Sequence, residues 1–167
     1  MRLSLAEIED WRAFENLIAD YFRYIQKEEY NQVKEVFVEP SGEGSDGGRD
    51  ILITFRVDDS VMIFERKWVV QCKYYSKPLS KANLANVNIP SLIHEYKADG
   101  YLLACRSGVT SKVSEMFEHL RRNCRFNYSY LIWDEALILN KIKSDFNLLE
   151  RYFPKYVEYG NKRDLSI

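Results

Sequence analysis

The pattern that most restricts how this chain can fold lies between Pro40 and Tyr75. An acidic, glycine-rich turn, Ser41-Gly42-Glu43-Gly44-Ser45-Asp46-Gly47-Gly48-Arg49-Asp50, runs directly into one apolar segment, and a second apolar segment ends in Gln71-Cys72-Lys73. With Asp58-Asp59-Ser60 as a hairpin turn between them, the two segments read as neighbouring strands of one sheet. A strand repeats every two residues, so Gln71 and Lys73 share one face while Val70, Cys72 and Tyr74 share the other. The turn therefore delivers Asp50 to the head of a strand whose neighbour carries a Gln-x-Lys.

The rest of the chain supplies what such a sheet needs to be covered. Ser4-Leu5-Ala6-Glu7 has the form of a capping box. The apolar residues Ile8, Trp11, Phe14, Leu17, Ile18, Tyr21, Phe22 and Ile25 follow at helical spacing, which predicts a helix from about 5 to 28. A first strand is expected over Val33–Val38, stopped by Pro40, a second over Ile51–Val57, and a third over Val61–Tyr75 with an irregularity near Glu65-Arg66-Lys67. Helical pattern returns from Ser80 to Ala98, with Pro90 placed in a first turn. Strands at Tyr101–Cys105 and Tyr128–Trp133 flank a helix from Ser111 to about Arg122. Asp134 caps a last helix running to about Tyr152. The expected order is αβββαβαβα, an α/β fold with a mixed sheet and helices on both faces. One domain is expected over 1–153, with 154–167 as a polar tail or linker.

Asp50, Gln71 and Lys73 together suggest a chemistry. Mg²⁺ takes about six oxygen ligands and draws only one or two from carboxylates. Asp50, the Gln71 side-chain oxygen, the Cys72 backbone carbonyl, water and a substrate phosphate could complete that shell, and a lysine beside it suits phosphodiester hydrolysis. Gln71 is neutral, so a second anion is required. Glu15 lies on the apolar stripe of the first helix, four residues after Trp11 and seven before Phe22. A carboxylate facing a core needs a cation, which a metal or Lys73 would provide. The plainer alternatives are a loop-capping Asp50, an edge-strand Lys73 and a Glu15 that bends to solvent. Glu43 and Asp46 are further acidic candidates, read as a solvated loop. Cys72 reads as a small core residue, and His94 and His119 as structural or surface residues.

Other chemistries fit less well. Gly42-x-Gly44-x-x-Gly47 has the spelling of a dinucleotide fingerprint, but β pattern follows it where that fingerprint needs a helix. There is no Gly-Lys-[Ser/Thr] for a phosphate loop. The 3 cysteines are odd in number and contain no CxxC pair, which argues against a zinc site or disulfide framework. With no membrane-span or signal pattern, a reduced, cytoplasmic protein is expected. The net charge of −1 hides an asymmetry: residues 1–65 hold 7 Lys+Arg against 15 Asp+Glu, and residues 66–125 hold 11 against 4. An acidic front and a basic middle suit a metal cluster beside a groove that follows a phosphate backbone.

Phe14-Glu15, Gly44-Ser45-Asp46-Gly47-Gly48-Arg49-Asp50 and Val70-Gln71-Cys72-Lys73-Tyr74-Tyr75 resemble the Mrr-like restriction endonucleases of the PD-(D/E)xK nuclease superfamily, over roughly residues 10–140. The joined double-glycine Asp loop and Gln-Cys-Lys carry this resemblance, and Gln in place of the acidic residue is common there. It implies a restriction-endonuclease-like fold and a Mg²⁺-dependent DNA endonuclease, with Mn²⁺ able to substitute. Asp50 and Glu15 would hold the ion, Gln71 would complete or orient its shell, and Lys73 would position the attacking water. Family members cut double-stranded DNA, often modified or foreign, so a restriction or anti-phage role is implied, with a homodimer or higher oligomer and a fused or partner sensor domain. Arg49 departs from the apolar residue that members often carry. Arg49, Arg66, Lys67, Lys77 and Lys81 are the expected DNA contacts. The alternative is a catalytically silent nucleic-acid-binding or interaction module of the same fold.

Overall fold

The computed structural model describes residues 2–25, 32–41 and 48–164, with side chains described as far as residue 160. Helix α1 (Trp11–Tyr24) is followed by strands β1 (Val33–Pro40), β2 (Ile51–Asp58) and β3 (Ile63–Lys73). Helix α2 (Ile89–Glu95), β4 (Gly100–Cys105), α3 (Ser111–Asn123) and β5 (Ser129–Trp133) alternate after them, and three helices close the chain: α4 (Glu135–Ile142), α5 (Phe146–Tyr152) and α6 (Pro154–Asp164). The five strands form one sheet in the order β1-β2-β3-β4-β5. β1, β2 and β3 pair antiparallel, while β3, β4 and β5 pair parallel. The expected mixed α/β architecture is therefore present.

The alternation of side chains divides the core between the two faces. Ile51, Ile53, Val70, Cys72, Leu102 and Ala104 pack beneath α1, α4 and α5. Leu52, Val69, Tyr101, Leu103 and Cys105 pack beneath α2 and α3. All six residues of β4 are buried, as a parallel strand covered on both faces must be. Cys72 is 8 % exposed and lies in the α1-side core, where burial pushes its thiol pKa well up.

Several expectations give way to tertiary contacts. The first helix begins at Trp11, capped by the Asp10 carboxylate on the Ala13 N–H, and Leu5–Glu7 is a separate 3-10 turn. Glu7 does not close a capping box, because its Oε1 accepts the backbone N–H of Lys155. Ser4 Oγ and Leu5 N–H both donate to Glu135 Oε1. The third strand has no irregularity at Glu65–Lys67; its register with β2 is unbroken, and the shift lies in β1 between Val33 and Glu35. The last helix breaks after Ile142 because Asp145 caps a new one on Asn147 and Leu148. The segment expected as a polar tail is helical over Pro154–Asp164, and Tyr156 and Val157 pack against the core. Glu43, Asp46 and the residues 26–28 expected at the end of the first helix lie outside the described residues.

Asp20 ties α1 to the C-terminal helices. It is 6 % exposed, with Oδ1 accepting from Arg23 at 2.8 Å and Oδ2 from the Tyr152 hydroxyl at 2.6 Å and Arg151 at 3.0 Å. A buried carboxylate with three donors is a stable arrangement; removing its partners would leave a charge uncompensated.

Candidate active site

Asp50 is fixed by the sheet it introduces. Its backbone N–H donates to the Val70 carbonyl at 2.9 Å, its own carbonyl accepts from Ser41 N–H at 2.8 Å, and its Oδ2 accepts the Cys72 N–H at 2.6 Å. The carboxylate is thus anchored across the strand that carries Gln71 and Lys73. Gly48 makes the approach possible. Its φ is +108°, and an added Cβ would stand 2.9 Å from Val87 Cγ1 and 3.0 Å from Gln71 Nε2, so a side chain there would collide with the site's own wall.

Gln71 is 2 % exposed, and its Oε1 accepts the hydroxyl of Tyr101, itself fully buried, at 2.7 Å. An amide oxygen has two lone pairs, so this bond holds the side chain in one orientation and occupies part of the oxygen expected to face an ion. Lys73 ends β3, and its carbonyl accepts the N–H of Arg106 from the end of the adjacent parallel strand. The Arg106 guanidinium lies over the Tyr74 ring at 4.4 Å, which leaves a cation beside Lys73.

Glu15 reaches this cluster from α1. The helix is seated by Phe14 against Tyr74 (6.0 Å between ring centroids) and by the Tyr74 hydroxyl donating to the Ile8 carbonyl. Partial burial is the main reason the Glu15 carboxyl pKa rises from 4.5 to about 7, with the Asp50 charge adding to it and Arg12 and Lys73 opposing. Glu15, Asp50 and Lys73 therefore share one electrostatic environment. Glu15 is half-buried.

The donor set suits a hard divalent ion. Burial first and the Asp50 charge second raise the Glu15 pKa, and a dication beside them would favour the ionised form against both. All the side-chain donors are oxygens, the chemistry of Mg²⁺ or Mn²⁺. Among the described residues no three His, Cys, Asp or Glu side chains converge on one point.

The expected DNA contacts are distributed unequally. Arg49 adjoins Asp50, with its guanidinium 4.7 Å from the centre of the Tyr96 ring. Lys77 lies on the exposed loop beyond Lys73, where its carbonyl accepts from Ser107. Arg66 and Lys67 sit seven and six residues back along β3, roughly 20 Å from Lys73 at the rise of a strand. Arg66 stacks on Trp68 and donates to Ser129. Lys81 lies in a 3-10 turn that borders a cleft between α2 and α3. Tyr101 and Arg106 were not singled out by sequence reasoning. Their signals were a tyrosine inside an otherwise apolar strand and a cation at the end of the strand beside Lys73.

A family model for the Mrr catalytic domain, described as restriction endonuclease, matches residues 6–126. No curated protein sequence matches the chain. The fold is similar to that of the MspJI restriction endonuclease in complex with a 27-mer oligonucleotide, with a TM-score of 0.54 at 14 % identity over 77 % of this chain and 27 % of that one. It is also similar to the DNA modification-dependent restriction endonuclease AspBHI, with a TM-score of 0.52 at 12 % identity over 95 % of this chain and 43 % of that one. The chain thus spans less than half the length of either structure. With a match to most of its length and a similar overall fold, the chain belongs to the Mrr-type restriction endonuclease family.

Proposed function

We propose that this domain is a Mg²⁺-dependent DNA endonuclease, with Mn²⁺ as a substitute ion, acting on double-stranded DNA in restriction or anti-phage defence. The observation that carries the proposal is Asp50 anchored on the strand that carries Gln71 and Lys73, with Glu15 in the same electrostatic environment, inside the matched stretch. Glu15 and Asp50 would hold the ion with the Cys72 carbonyl, and Gln71, held by Tyr101, would orient the shell. The bound ion would supply Lewis acidity at a phosphate oxygen. Lys73 hydrogen-bonds the attacking water and balances the charge that grows on the phosphate as the bond breaks. Arg49, Lys77 and Arg106 would meet the phosphate backbone at the site, with Arg66 and Lys67 farther back along β3 and Lys81 in the 3-10 turn beyond it.

The domain acts in the cytoplasm as the effector part of a larger protein or beside a sensor, and two copies are needed for a double-strand cut. Supercoiled plasmid with Mg²⁺ or Mn²⁺ tests this reading. Nicking or linearisation is expected from the native chain and not from Lys73→Ala or in EDTA, with DNA binding retained by the variant. Retained gel shifts without cleavage, even at high protein concentration, would favour a silent binding module instead.

A further inference from the structure

On the face of the sheet opposite α1, helices α2 and α3 enclose a cleft of about 730 Å³. It contains none of Glu15, Asp50, Gln71 or Lys73, and its volume is that of a small-molecule site. One wall is aromatic: His94, Phe126 and Tyr128 pack together, with Phe126 and Tyr128 centroids 5.4 Å apart and His94 edge-on to both. Phe126 is nevertheless 61 % exposed, so one ring face remains open to a ligand. At the floor, the Tyr130 hydroxyl lies 3.7 Å from Cys124 Sγ, a weak acceptor that leaves hydrogen-bonding capacity unspent.

The charges around this wall are cationic. Lys81, Lys112 and Arg125 border the cleft, against Glu115. The neighbouring Arg121 and Arg122 are both engaged with Glu118, whereas among the described residues no carboxylate forms a salt bridge with Lys81, Lys112 or Arg125. An exposed aromatic platform beside unpaired cations matches a planar base attached to a phosphate. Stacking of bases on aromatic side chains tolerates any base, and phosphate contacts supply a salt-dependent attraction. A purely apolar ligand would leave the cations unused, and a simple anion would leave the rings unused.

We propose that the α2–α3 cleft is a nucleotide-binding site, with the base stacked on Phe126 and Tyr128 and the phosphate held by Lys112 and Arg125. The same chemistry is offered by a free nucleotide and by an unpaired nucleotide of a DNA strand. Calorimetric titration of the full chain in EDTA, with no divalent ion, separates these sources and leaves cleavage out of the readout. The probes are dAMP, deoxyadenosine, inorganic phosphate and single-stranded octadeoxyadenylate.

Saturable binding of dAMP is expected, with deoxyadenosine and phosphate each at least about ten-fold weaker. Phe126→Ala should weaken dAMP about ten-fold and Phe126→Trp should restore it, in the range of one lost stacking contact. Lys112→Ala combined with Arg125→Ala should flatten the salt dependence. All three side chains are exposed, so the thermal melt of each variant should match the native chain. Octadeoxyadenylate binding at least ten-fold tighter than dAMP, with the same dependence on Phe126, assigns the ligand to a DNA strand; equal or weaker binding assigns it to a free nucleotide. Absence of binding by both probes, or binding that Phe126→Ala leaves unchanged, overturns the proposal.

Discussion

Replacing Glu15 by glutamine should stabilise the metal-free protein while abolishing its cleavage of DNA. Burial first, and the Asp50 charge second, hold the Glu15 carboxyl at about 7 instead of 4.5. In the unfolded chain the group ionises near the lower value, so the folded state keeps the proton over the interval between them. Stability is fully present below about 4.5 and declines as pH rises through 7, because above it the folded chain must carry an ionised Glu15 beside an ionised Asp50. Converted in full, a shift of that size corresponds to about 3.4 kcal/mol. Glu15 is only partly buried, and screening by solvent reduces this to about 1.5 kcal/mol. For a chain of this length that is about 4 °C in melting temperature. Thermal melts in EDTA at pH 5 and pH 8 should place Glu15→Gln close to the native chain at pH 5 and about 4 °C above it at pH 8. Mg²⁺ at pH 8 should then raise the native chain more than the variant. A difference between the two proteins that is the same at both pH values, or a variant that melts lower at pH 8, would refute the reasoning.

Two further substitutions test the walls of the site. Tyr101→Phe leaves the buried Gln71 Oε1 without its hydroxyl donor, which should cost about 1–3 kcal/mol in denaturant unfolding and weaken Mn²⁺ binding measured by calorimetry; unchanged Mn²⁺ affinity would count against Gln71 as an orienting group. Gly48→Ala places a Cβ against Val87 and Gln71 at a φ of +108°, and strain with overpacking should lower stability by about 3 kcal/mol. Its thermal melt should fall accordingly, and a melt within a degree of the native chain would show that the turn has more room than its contacts imply.

The parts of the fold written in local pattern could be read from the chain, and the parts decided by distant partners could not. The stripe of Phe14, Leu17, Ile18 and Phe22 announces α1, and the alternation through Val69–Lys73 sorts core from site because burial obeys the same two-residue period. Asp50, Gln71 and Lys73 were legible together because a strand pair brings them into register. The role of Ser4 and Glu7 was misread because their partners, Glu135 and Lys155, are about 130 and 148 residues away. The break before α5 rests on a single Asp145 cap inside an otherwise helical pattern, a local competition that periodicity averages away. Tyr101 looks like any aromatic strand residue until β4 is laid beside β3. The α2–α3 cleft draws its wall from His94, Phe126 and Tyr128, which no single periodic segment contains.

The clamp around Asp20 has a mechanical consequence for the site. Asp50, Gln71 and Lys73 are stitched into adjacent strands, so their spacing is as rigid as the sheet itself. Glu15 arrives on a helix whose other end is gripped by Arg151 and Tyr152, residues beyond the family match at 126. The candidate site thus has a welded half and a bolted half, and the bolt lies five residues along α1 from Glu15. Loosening it by Asp20→Ala would free α1 from α5 and, with it, the placement of Glu15 against the strand-borne residues. Force or docking applied at α5 would act on the same lever.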